Sequence, residues 1–272
     1  MNSESPIATT GSKTIVGSHP PPWNLSGRGY LVVMRFPHDY LRDQCFLPEE
    51  LKTTFGGSIA MMMFIDYAAA DCGPYRELLF IPGRGGFSPG PLLTISKIYV
   101  ETENSVVNGR RNWGIPKERC DFETSYNEDR TDRMKLSAGA KPIAELAFRP
   151  FGPRLPLIVN SLPKRWLTLG QLREGQEFIY TPRVTGHARL ARLIKTWSDP
   201  GLFPDLEGAK GSHLTIQQFS HCFHSGLLGA VALQPLFKSF SVRPHYAVVR
   251  QPYLCRQFLQ LQATQTASQI QH

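Results

Sequence analysis

The sequence predicts a mostly β fold of the α+β kind: a closed β-barrel with surrounding strands and a few short helices. Three observations predict it. Hydrophobic residues make up 41% of the 272 residues and charged residues only 19%, enough apolar material for a large core. The 22 prolines and 23 glycines punctuate the chain at the intervals expected of short strands joined by turns. Most apolar segments are short, rich in β-branched and aromatic residues, and bounded by Gly or Pro.

In chain order, residues 1–22 are polar and end on a proline run before Trp23; they are expected to form a disordered tail. Residues 23–250 are expected to form one domain, because no composition shift marks a linker. The first strand is "GYLVVMRF", from Gly29. "HDYLRDQCFLPEEL" has room for one or two helical turns before Pro48. "SIAMMMFIDYA", "YRELLFIPG" and "LLTISKIYVET" follow as strands, with "PGRGGF" a Gly-rich hairpin between the last two. "NSVVNGRRNW" is expected to be a short helix capped by Asn104 or Ser105 and stopped by Gly114. "AELAFRPF", "EFIYTPRVTG" and "HLTIQQFSHCF" complete the strands. In "YLCRQFLQLQ", Leu254, Phe258 and Leu261 share a helical face, so residues 251–272 are read as a C-terminal helix and polar tail. The strands are expected to be mostly antiparallel, and closure would remove exposed edges and leave room inside for a small ligand.

The formal charge of +8 is scattered, with no basic cluster, which speaks against nucleic acid as a partner. No apolar run is long enough for a membrane helix, and the N-terminus has no apolar segment of a secretory leader. Cys45, Cys72, Cys120, Cys222 and Cys255 form no C-x-x-C pair. They are read as reduced thiols of a cytoplasmic protein. His213, His221, Cys222 and His224 lack the spacing of a converging ligand set, so no metal site is expected.

Three polar positions stand out. In "NWGIPKE", Gly114 permits a sharp bend, and Pro116 fixes its own φ and biases Ile115 toward extended backbone. Lys117 is thereby presented beside the large apolar Trp113 and Ile115. A lysine among such neighbours loses solvation, which favours the neutral amine, and a neutral amine condenses with ketones to a Schiff base. In "PYRELLFIPG", Glu77 shares a strand face with Tyr75, Leu79 and Ile81, all apolar or aromatic. In "SGRGYLVV", Arg28 sits between two glycines. Each position also has a plain reading: a solvated lysine after a turn, an outward strand glutamate and a turn arginine. Met61 and Met63 of "MMMF" are core or a pliable pocket wall.

Together these segments resemble the acetoacetate decarboxylase family. "GRRNWGIPKE" is similar to its Gly-Arg-Glu…Pro-Lys-Lys signature, which puts Lys117 on the Schiff-base lysine. "PYRELLFIP" resembles the segment carrying a buried active-site glutamate, here Glu77. "GRGYLVV" resembles the segment with an active-site arginine followed by tyrosine, here Arg28 and Tyr30. "VTGHARLARL" and "FPDLEGAKGSHLTI" look like later strands, so the resemblance runs from about Gly27 to about Phe223. It implies a cone-shaped barrel around an apolar pocket, a homo-oligomer, no cofactor, and a small keto-acid substrate. Lys117, Glu77 and Arg28 would be catalytic; Tyr30, Trp113 and Met63 would contact substrate.

Two departures bear on the substrate. The signature's second lysine is replaced by Glu118, which alternation on an extended segment turns to the opposite face from Lys117. The family's further acidic residue upstream of Glu77 has no clear match; Asp66 is nearest and Met62 stands near the position. The expected activity is decarboxylation of a β-keto acid through a lysine iminium and enamine. The alternatives are aldol, dehydration or cyclisation chemistry on a larger keto acid by the same lysine, and a barrel that binds an apolar small molecule without catalysis.

Overall fold

A computed structural model describes residues 16–126, 131–156 and 163–206, and the backbone of residues 230–233 and 240–243. The chain forms β1 (Trp23–Arg35), α1 (His38–Asp43), α2 (Glu49–Lys52), β2 (Ile59–Ala70), β3 (Tyr75–Ile81), β4 (Gly83–Phe87), β5 (Gly90–Thr94), β6 (Lys97–Val100) and α3 (Glu103–Trp113). It continues through β7 (Lys117–Arg119), β8 (Asp121–Tyr126), β9 (Asp132–Ala138), β10 (Lys141–Pro156), α4 (Lys164–Leu167), β11 (Leu169–Arg173), β12 (Gln176–Val184), β13 (His187–Ser198), β14 (Ala230–Leu233) and β15 (Phe240–Arg243). The mostly β reading therefore stands. The expected strand at "HLTIQQFSHCF", the histidine cluster within it and the C-terminal helix lie outside the described residues.

The expected closure does not form among the described residues: the sheet is open and branched. One path runs β4-β5-β11-β12-β15-β1-β14-β13-β10-β9-β8, and a branch leaves β1 through β2, β3, β6 and β7. Pairing is antiparallel except where β5 meets β11 and β6 meets β7. The branch point is β1, whose 13 residues are too many for one partner on each side. Trp23–Leu25 pair with β15 and Gly29–Val32 with β14, while β2 runs along the other edge. A bulge at Ala68 of β2, opposite Ser26 and Gly27, bends β2 where β1 changes partners on its other edge. At Gly27 and Gly29, a Cβ would overlap the Asp66 and Phe64 carbonyl oxygens of β2, so only glycine lets the backbones approach so closely.

Side chains of β1, β2, β3 and β6 alternate between two cores. Tyr30, Val32, Met34, Met62, Phe64, Leu78 and Phe80 join one cluster; Leu25, Leu31, Met61, Ile65, Leu79, Ile81 and Ile98 join the other. Burial on both faces explains why "YLVVM" and "AMMMFI" are continuous apolar runs rather than alternating ones. The strand expected at "LLTISKIYVET" is split into β5 and β6 by Ile95 and Ser96, which lets β5 pair with β4 and β11 while β6 pairs with β3 and β7. Cys45, Cys72 and Cys120 are buried free thiols. Among the described residues, no helix is long and apolar enough to cross a membrane.

Candidate active site

The second core is not filled. It encloses a cavity of about 170 Å³ walled by β1, β2, β3, β5, β6, β7, β11, β12 and the ends of α3 and α4. That volume compares with the ~150 Å³ cavity that holds a benzene molecule. Met61, Met63, Leu79, Ile81, Ile98 and Trp113 are among its apolar walls. Trp166, 38% exposed, marks where the wall reaches solvent. The charged residues among the described lining are Lys117 and Glu77.

Local sequence places Lys117. Thr102 caps α3 by accepting from the Ser105 N–H at 3.4 Å, so the cap lies two residues before Asn104. Gly114 ends the helix in the left-handed region at φ 64°, its N–H on the Arg110 carbonyl, a conformation that favours glycine. Ile115 and Pro116 then lead into β7, which pairs parallel to β6 with Lys117 opposite Ile98. Lys117 therefore shares the cavity face with Ile98. Glu118 takes the other face and is paired with Lys97 at 2.7 Å, as alternation predicts.

Lys117 is only 3% exposed, and its Nζ donates to Ser105 Oγ at 2.9 Å, to Glu77 Oε2 at 3.3 Å and to the Tyr75 hydroxyl at 3.3 Å. The nitrogen also lies 4.9 Å from the Tyr75 ring centroid and 5.8 Å from that of Trp23. Glu77, 5% exposed, accepts from the Tyr67 hydroxyl on its other oxygen at 3.1 Å. Burial beside this carboxylate raises the Tyr67 and Tyr75 hydroxyls well above the ordinary tyrosine range, so both remain protonated. Burial likewise pushes the nearby Cys72 thiol up to about 11, against the pull of Lys117. The amine is thus dry but not alone. Ammonium with carboxylate and amine with carboxylic acid are both net neutral, so a proton can pass between Nζ and Oε2 without leaving a net charge in the apolar cavity. The amine form is a nucleophile.

Helix α3 grips this lysine at three points. Ser105 accepts its Nζ, Arg110 Nε donates to the Lys117 carbonyl at 2.7 Å, and the lysine stem crosses the helix at Gly109. A Cβ at Gly109 would stand 2.6 Å from Lys117 Cδ and 2.9 Å from Cε. Gly109→Ala is therefore expected to raise helix propensity, by about 0.5–1 kcal/mol, yet push the amine off its partners. A displacement near 1 Å costs on the order of 100-fold in rate. Thermal melts beside ketone-trapping rates check this: a normal melt with trapping unimpaired would overturn it.

Of the positions singled out from sequence, the structure brings Lys117, Glu77, Trp113 and Met63 together around the cavity. Arg28 and Tyr30 are on the opposite face of β1, outside the described lining. The Arg28 guanidinium stacks 3.1 Å from the Tyr126 ring centroid, and Tyr126 donates to Asp66. Tyr30 stacks on Phe148 with centroids 4.0 Å apart and donates to Asp132. The physical reason is parity: the cavity face of β1 carries Trp23, Leu25 and Leu31, and even-numbered residues point away. Asp66, on the same face as Arg28 and Tyr30, is 3.7 Å from Arg76; Met62 is buried in the first core. Sequence reasoning missed Ser105 and Tyr67 and took Tyr75 only as a neighbour of Glu77. A signal for Ser105 existed: with Gly109 it makes a small-residue pair at i, i+4, a helix face on which a long side chain can lie. Among the described residues, no group of three His, Cys, Asp or Glu could hold a metal.

Comparison with solved structures gives the same fold at low identity. A crystal structure of acetoacetate decarboxylase from Legionella pneumophila aligns at a TM-score of 0.61 and 13% identity, covering 93% of this chain and 100% of that one. The enduracididine biosynthesis enzyme MppR, complexed with the condensation product of pyruvate and imidazole 4-carboxaldehyde, aligns at 0.53 and 15% identity over 93% and 100% of the two chains. An acetoacetate decarboxylase-like enzyme from Sphingomonas wittichii RW1 aligns at 0.53 and 13% identity, covering 87% of this chain and 95% of its own. No curated protein sequence matches the chain. The family model for acetoacetate decarboxylase matches residues 4–201, and with that match over most of its length the chain belongs to the acetoacetate decarboxylase family.

Proposed function

We propose that this protein is a Schiff-base-forming lyase that decarboxylates a β-keto acid on Lys117. The observation that carries this reading is a single buried amine, hydrogen-bonded to a buried carboxylate, at the wall of an otherwise apolar cavity. Glu77 takes a proton from Nζ, and the freed amine attacks the β-carbonyl carbon of the substrate. The carbinolamine loses water to give an iminium. The bond from the α-carbon to the carboxyl carbon then breaks, its electron pair forming the enamine as CO2 leaves. Protonation of the α-carbon and addition of water release the ketone and restore the amine. Tyr67 fixes one Glu77 oxygen so that the other faces Nζ, and Ser105 and Tyr75 aim the nitrogen.

A second reading keeps the iminium but changes its fate to aldol, dehydration or cyclisation chemistry on a larger keto acid. One observation favours it. With Arg28 turned away, the described lining offers no arginine to orient a substrate carboxylate. The MppR complex, with a condensation product of pyruvate bound, shows such a product on the same fold. Incubation with acetoacetate and with 3-oxohexanoate, followed by borohydride, separates the readings. The lyase reading expects CO2 equal to ketone formed and a reduced adduct on Lys117. An adduct without CO2 favours the second reading. Absence of any adduct sinks both and leaves a binding protein.

A further inference from the structure

The amine stands at one end of its cavity, and the other end is apolar. On β3 the lining takes Tyr75, Glu77, Leu79 and Ile81; their partners on β2 are Tyr67, Ile65, Met63 and Met61, which line it too. At ~3.4 Å per residue, the backbones of Glu77 and Ile81 are about 14 Å apart. Lys117 joins this surface level with Leu79: it is paired with Ile98, and Ile98 with Leu79. Its side chain then runs toward the start of β3, not toward Ile81. Nζ meets Glu77 and Tyr75, and Ser105 and Tyr67 complete that polar end. The Leu79–Ile81 end is walled by Met61, Met63 and Ile98, and neither charged group of the described lining reaches it. Met61 and Ile81 are 8% and 5% exposed, so that wall lies inside the protein.

We infer that the Leu79–Ile81 end is a lane for a hydrocarbon tail, that the substrate is a 3-oxo acid with a linear tail of about four or five carbons beyond its ketone, and that Met61 and Ile81 limit the length of that tail. This rests on the reading of Lys117 as the amine that captures the substrate's ketone. With the ketone carbon at Nζ, the two arms of a 3-oxo acid must part. A carboxylate in the lane would be buried without a counter-charge, which is costly. A methylene there tightens binding roughly fourfold. The tail therefore takes the lane, and the carboxymethyl arm stays at the polar end beside the nitrogen. The carbon count follows from volume. A cavity of ~150 Å³ holds the six carbons of benzene, and this one is about 170 Å³, room for the ketone carbon and a short tail. Acetoacetate, with one methyl beyond its ketone, leaves the lane empty, and its walls then lack partner atoms. Met61 and Met63 suit such a lane, since an unbranched thioether adapts to the tail it meets.

The test is calorimetry with the straight-chain 2-alkanones from 2-butanone to 2-nonanone, the ketones that decarboxylation would release. Affinity should rise roughly three- to fourfold per carbon up to 2-hexanone or 2-heptanone and then level or fall. The ether 5-methoxy-2-pentanone, which matches 2-heptanone in length, should bind at least about fivefold more weakly, because its oxygen enters the lane without a donor. Ile81→Ala should raise the affinity ratio of 2-octanone to 2-hexanone by about five- to tenfold, and the milder Ile81→Val by about twofold. A wild-type series flat in chain length, without measurable binding, or indifferent to the ether oxygen overturns the lane. A ratio unmoved in Ile81→Val and in Ile81→Ala overturns the part given to Ile81. Borohydride trapping of the same ketones on Lys117 is scored separately. A rising series without any adduct counts against the Schiff-base reading alone, and an adduct with a flat series counts against the lane alone.

Discussion

Lys117→Arg is expected to remove the borohydride-trapped adduct and to cut turnover of an accepted keto acid by roughly a thousandfold or more, the scale on which loss of a covalent nucleophile is felt. The guanidinium keeps a positive charge near Glu77 but cannot condense with a ketone, because its nitrogens share a delocalised cation that does not deprotonate in proteins. The substitution therefore separates charge from nucleophilicity. Peptide mass mapping after reduction should show the adduct in wild type and none at residue 117 in the variant. Turnover within about tenfold of wild type, a difference of only ~1.4 kcal/mol in barrier, would mean that another group carries the reaction and would end the Schiff-base account. A cooperative thermal melt of the variant checks that the protein still folds.

Breaking the buried pair should have the largest effect on stability. Lys117→Met leaves the Glu77 carboxylate, 5% exposed, without its cation. Loss of one partner from a buried ion pair costs about 3–5 kcal/mol. For a domain of this size each kcal/mol moves the melting temperature by ~2–4 °C, so a fall of roughly 6–20 °C is expected. Glu77→Gln alone should also destabilise, since it strands the Lys117 amine. Lys117→Met combined with Glu77→Gln should recover much of the loss, because no charge is then buried unpaired and the Tyr67 hydroxyl keeps an acceptor. Thermal denaturation of the two single variants and the double variant forms a cycle with a coupling of about 0.5–3 kcal/mol. Additive losses would mean that the two groups do not share a charge interaction, and the proton exchange assigned to them would lose its basis.

Both expectations depend on geometry of which the chain shows only part. Alternation on β3 was enough to put Glu77 among Tyr75, Leu79 and Ile81, because a period of two is a local property of extended backbone. The Gly114 bend, the Pro116 entry into β7 and the outward turn of Glu118 were likewise legible, each being set by neighbouring residues. The helix ending at Trp113 was legible for the same reason, with its cap displaced by two residues to Thr102.

What the chain could not display is which face of a strand becomes the cavity. In β1 and β2 both faces are apolar, so parity assigns Arg28 and Tyr30 to one side without saying whether β9 or β12 lies there. That choice comes from residues far along the chain: Asp132 receives Tyr30, and Tyr180 closes the other side. The contacts of Ser105 and Tyr67 with Lys117 and Glu77 span separations of 12 and 10 residues, across helix docking and strand pairing that the Ser105–Gly109 spacing alone does not fix. The branching of the sheet among the described residues is of the same kind, since it follows from how β1 divides its edge between β14 and β15. The sequence by itself determined the strand-rich fold, the bend that presents the lysine and the apolar strand face that carries Glu77, because these follow from nearest-neighbour stereochemistry. Only the tertiary structure decided which side is hollow, that Glu77 and Lys117 meet there, and who touches the amine, because those depend on long-range packing.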